Sequence, residues 1–67
     1  MCIAVICDPE SYGWWLSHNG ISGERYVLVT GEDSVRNERF DKIILCGNYL
    51  QMDNWHWLQG LAEGKMK

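Results

Sequence analysis

Three short apolar runs in the 67-residue chain each end in polar side chains that could do chemistry. Asp8 and Glu10 follow "CIAVIC", Glu32 and Asp33 follow "RYVLVT", and Asn48 and Tyr49 follow "DKIILC". If the runs are parallel strands, these groups gather beyond the strands' carboxyl ends, where open α/β sheets hold their ligands. Asp8, Glu32 and Asn48 would then form a minimal nucleotide- or divalent-metal-binding site, because Mg²⁺ takes one or two carboxylates and keeps several waters.

Each of these residues also has a plainer role. Asp8 precedes Pro9 as an N-cap precedes a first helical residue, Glu10 is a favourable charge in a first turn, and Glu32 and Asp33 sit in a polar stretch. The chain has no Walker A lysine and no Gly-x-Gly-x-x-Gly. Cys2, Cys7 and Cys46 are odd in number, include no Cys-x-x-Cys pair and read as buried thiols, and neither His18 nor His56 adjoins a cysteine. Cys46 and His56 could meet only through the fold. The expectation is therefore a protein without metal or cofactor that is not an enzyme.

The aromatic residues say more. On a helix beginning at Pro9 and ending near His18 or Asn19, with Gly20 after it, Tyr12, Trp15 and Leu16 share one stripe. Trp14 and His18, spaced i, i+4, lie together on the other side. In "MDNWHWLQGLAE" a last helix over 54–63 is predicted, with Asp53 as N-cap and Gly64 as its stop. Trp57, Leu58, Leu61 and Ala62 are predicted as its core face, Trp55 as a boundary residue and His56 as outward. Trp14, His18, Trp55 and His56 are thus the candidate partner-binding residues, since tryptophan dominates interface hot spots.

These side chains need a frame. Residues 2–7, 25–30 and 41–47 are near-continuous apolar runs of the kind found in strands covered on both faces. The polar segment 31–40 between the last two reads as a loop with one short helical turn. The order is β-α-β-β-α in a single α/β domain over 1–67, a Rossmann-like, mostly parallel sheet in spatial order 2-1-3 with one helix for each face. Ten residues are few for a parallel crossover, so an antiparallel pairing of the last two strands stays open.

Nine carboxylates against six lysines and arginines give a net charge of −3, which argues against nucleic acid as a partner. Arg36, Arg39 and Lys42 are the nearest thing to a basic patch, and Glu32, Asp33, Glu38 and Asp41 interrupt it. The longest apolar run is far short of a membrane span and no signal-peptide pattern is present, so a cytoplasmic location is expected. Two open sheet edges and a small core lead to the further expectation of a homodimer.

The start "CIAVICDP", the helix "YGWWLSHNGI" and the late "RFDKIILCGNY" resemble, in length and layout, the small βαβ-type accessory proteins of tailed bacteriophages. That resemblance implies a non-enzymatic interaction module that inhibits or modulates a host enzyme or defence complex in the host cytoplasm.

Overall fold

The computed structural model of the protein describes residues 1–20 and 23–67. Strand β1 (Cys2–Ile6) lies between β2 (Arg25–Leu28) and β3 (Lys42–Leu45) in an all-parallel sheet of order β2-β1-β3. Ile3 is level with Tyr26 on one side and Lys42 on the other. The ladder is shorter than the apolar runs, although Val29 N–H still reaches the Val5 carbonyl at 3.0 Å. Helix α1 (Pro9–Asn19) joins β1 to β2, helix α2 (Glu32–Val35) joins β2 to β3, and a 3₁₀ turn (Tyr49–Gln51) leads into α3 (Trp55–Glu63). The pairing of β3 with β1 settles the open choice in favour of a fully parallel sheet.

Side-chain alternation splits the sheet between two packing layers. Ala4 and Ile6 of β1, with Val29 just beyond β2, face α2 and α3, where Val35, Phe40, Leu58 and Ala62 complete a fully buried cluster. Ile3, Val5 and Cys7 face α1, and Tyr12 and Trp15 pack there alongside Tyr26, Leu28 and Ile44. The two crossovers run in opposite directions along the sheet and over opposite faces, so they share one hand.

Two sequence expectations need correction. Trp57 is 49% exposed, whereas Leu58 and Ala62 are buried and Trp55 packs at the edge of their cluster. The apolar residues of this helix span a wide arc, and the centre that packs lies at Leu58 and Ala62, about 120° round the helix from Trp57 at 100° per residue. The helix also begins one residue later than expected, with Asn54 rather than Asp53 at its N-cap position. The short helical turn read in segment 31–40 is α2, and the segment also delivers Val35 and Phe40 to the core. Phe40 is also held by backbone: its N–H donates to the Lys65 carbonyl at 2.8 Å, and its carbonyl accepts from Lys67 N–H at 2.9 Å.

Candidate functional site

The end of β1 shows how far the carboxyl edge of the sheet is organised. Asp8 is extended (φ −69°, ψ 145°), which directs its carboxylate back over the first turn of α1. Its Oδ2 accepts from Ser11 N–H at 3.1 Å and Ser11 Oγ at 2.9 Å, and its Oδ1 accepts from Asn48 N–H at 2.7 Å. The Asn48 N–H, followed by Ser11, holds the Asp8 carboxyl below its ordinary range. Between these partners Gly47 adopts φ +63°, and a Cβ there would lie 2.6 Å from both Cys7 Sγ and Ser11 Cβ. Only glycine fits, because backbone conformation and lack of space both exclude a side chain.

Asp8 and Asn48 are therefore brought together, and what they form is a latch between β1 and the segment after β3. Beside it lies an open cavity of about 440 Å³ lined by Asp8, Pro9, Glu10, Asn48, Gln51 and Met52. Its only charged groups are carboxylates, so it does not suit a phosphate. Glu32 lines a different hollow, between α2 and α3, with Arg36, Leu61 and Lys65. Asp8, Glu32 and Asn48 thus do not share one site. Among the described residues no group of three or more His, Cys, Asp or Glu side chains is placed to hold a metal ion.

The aromatic candidates also separate. Trp14 is 65% exposed, and its ring stacks on that of His18 at 4.1 Å with 25° between planes. His18 Nδ1 lies 2.9 Å from the Trp14 carbonyl, which fixes the imidazole against the indole. Gly13 and Ser17 are exposed beside them, so the aromatic ridge is flanked by small side chains, with the exposed Glu10 one turn before Trp14. The other side of α1 is anchored lightly: Trp15 meets Tyr26 edge-on at 5.2 Å, Tyr26 Oη donates to the Asn19 carbonyl at 3.2 Å, and no residue of the helix is buried.

Trp55 is placed differently. It packs edge-on against Tyr49 at 5.2 Å, and the exposed His56 ring stacks on it at 3.5 Å. Trp55 is therefore held by its neighbours, and the exposed apolar groups in this region are Trp57 and Leu50, the latter 67% exposed. Sequence reasoning missed both; the offset of Trp57 from Leu58 and Ala62 was the available signal. His56 sits on α3 and Cys46 on the α1 side, so the two do not meet. The basic patch is also divided, with Arg36 3.5 Å from Asp33 and Arg39 turned to the Glu38 carbonyl.

No protein-family model, curated protein or solved structure matches the chain. No helix among the described residues is long and apolar enough to cross a membrane.

Proposed function

We propose that the protein is a non-enzymatic interaction module that binds another protein through the outer face of α1, with Trp14 and His18 at the centre of the contact. One observation carries this reading: α1 presents a large, pre-ordered aromatic pair to solvent, while segment 31–40 and the chain's last residues, which could have covered it, pack against the opposite face of the sheet. A stacked pair held by its own backbone loses little freedom on binding, which favours affinity. The ridge has no cluster of cations, so a protein surface suits it better than nucleic acid.

A different protein is favoured over a second copy as the occupant. The sheet's two open edges, at β2 and β3, give a second copy its own way of pairing that does not use the α1 ridge. The resemblance to phage accessory proteins makes a cytoplasmic host enzyme or defence complex the class of partner to test. Immobilised wild-type protein and Trp14→Ala would be offered a bacterial lysate, and the affinity of any captured protein measured after purification. The expected result is a loss of about thirtyfold or more for the variant, as at a hot spot. Equal affinity for a variant with an unchanged circular-dichroism spectrum would rule this surface out, and a wild-type dimer by light scattering that Trp14→Ala dissociates would assign the ridge to self-association.

A further inference from the structure

The interaction face leaves a pair of thiols unused. Ile6 and Leu45 are the last paired residues of β1 and β3, and Cys46 N–H donates to the Ile6 carbonyl at 3.1 Å, so Cys7 and Cys46 are the next neighbours across the two strands. Both side chains lie on the α1 side of the sheet, in one cluster, near enough that each thiol shifts the other's acidity. Neighbouring strands run about 4.7–4.9 Å apart, inside the Cα separation of about 4.4–6.8 Å that a disulfide spans. Gly47, at φ +63° and with Cys7 Sγ in the space a side chain there would take, supplies a bend directly after Cys46 through which the remaining approach can be made. Cys2 sits at the far end of β1 with its Sγ 3.6 Å from Glu38 Oε2.

We propose that Cys7 and Cys46 are an oxidisable pair that closes into an intramolecular disulfide when the oxidant is a small disulfide of the glutathione class, and that Cys2 takes no part. Cys46 is partly exposed and Cys7 is buried, so Cys46 meets the oxidant first. The Cys46 thiolate attacks one sulfur of the small disulfide, whose S–S bond breaks and releases one thiolate. Cys7, deprotonated, then attacks the Cys46 sulfur of the mixed disulfide and expels the second. Two protein thiols are oxidised, one small disulfide is reduced to two thiols, and the two protons end on the released thiols. Burial, then the adjoining Cys7 thiol, pushes Cys46 up to about 12, so closure is slow at neutral pH and speeds up about tenfold for each pH unit.

This inference stands apart from the partner proposed above. It is tested by incubating the folded chain with oxidised glutathione at mildly alkaline pH until thiol loss reaches a plateau, quenching in acid, alkylating the remaining thiols and mapping peptides by mass spectrometry. The expected product lacks two hydrogens, carries one alkyl group, at Cys2, and yields a peptide joining residues 7 and 46. Cys7→Ser should instead accumulate a lasting glutathione adduct on Cys46, and Cys46→Ser should show no internal bridge. Wild-type protein that keeps three alkylatable thiols, holds a persistent adduct on Cys46, or bridges through Cys2 would overturn the proposal. The wild-type map decides the question even if a serine variant fails to fold.

Discussion

The two faces of this sheet are built to different standards. On one, α2, α3 and the segment after α2 set Val35, Phe40, Leu58 and Ala62 over Ala4, Ile6 and Val29, and all seven are buried. On the other, among the described residues, only Ile3, Val5 and Cys7 are buried, all three from the central strand and its end, and α1 adds no buried side chain to them. The difference follows from which helix faces which side. The α3 helix brings aliphatic side chains at i, i+4 spacing, whereas α1 offers two broad aromatic rings and places its remaining indole outward. Burial is concentrated on the first face, and the proposed partner would dock on the helix that covers the second.

Mutations can break or sharpen that contrast. Phe40→Ala should have the largest effect, a loss of about 3–5 kcal/mol in urea unfolding, because it opens a cavity where α2, α3 and the last residues of the chain converge. In a domain this small such a loss is enough to unfold most of the population. If Tyr12→Ala or Trp15→Ala on the α1 side cost as much, the two faces would be energetically equal and the contrast would be wrong.

Gly47→Ala comes next, at about 1–3 kcal/mol, from a side chain forced into a left-handed conformation and against Cys7 and Ser11. Thermal unfolding would register it, and an unchanged midpoint would mean that the Asp8 latch is loose in solution.

Acidification should show a smaller effect. The carboxyls of Asp8, held low by Asn48 N–H, and Asp41, held low by Cys2 N–H, each contribute stability that is complete above the ordinary carboxylate value of 3.8 and is lost as pH falls from there through their lower folded values. Asp8→Asn should therefore be less stable than wild type at neutral pH and lose less on acidification. Parallel pH–stability curves for the two proteins would count against the latch.

Trp14→Ala should have the smallest effect on folding, within about 0.5 kcal/mol, because its ring is largely exposed and stacks on the exposed His18. The same variant is the one expected to lose the partner. A substitution silent in stability and severe in binding is the sharpest signature of a face kept for recognition.

Much of this frame could be read from the sequence because its causes are local. Apolar runs on both parities gave three strands, Asp8-Pro9 marked the start of α1, and the need to cover both faces led to the order 2-1-3. The exposed Trp14–His18 pair followed from i, i+4 spacing alone. What stayed hidden depends on contacts distant in sequence. Nothing near Phe40 announces that it will pair with Lys65 and Lys67, and nothing near Asp8 says that the amide of Asn48, forty positions on, will meet its carboxylate. Trp57 was misplaced for a related reason: several apolar neighbours fit more than one helix face, and only the sheet beneath selects between them.

The central place of β1 also bears on how the molecule comes to be folded. Both neighbours that must pair with its apolar residues lie well downstream, at Arg25–Leu28 and Lys42–Leu45. No hairpin can nucleate this sheet, and every ladder in it closes a long loop before any hydrogen bond rewards the closure. Assembly should therefore be slow for a chain of this length, with the sticky centre strand unsheltered until late. Refolding yield should fall as protein concentration rises.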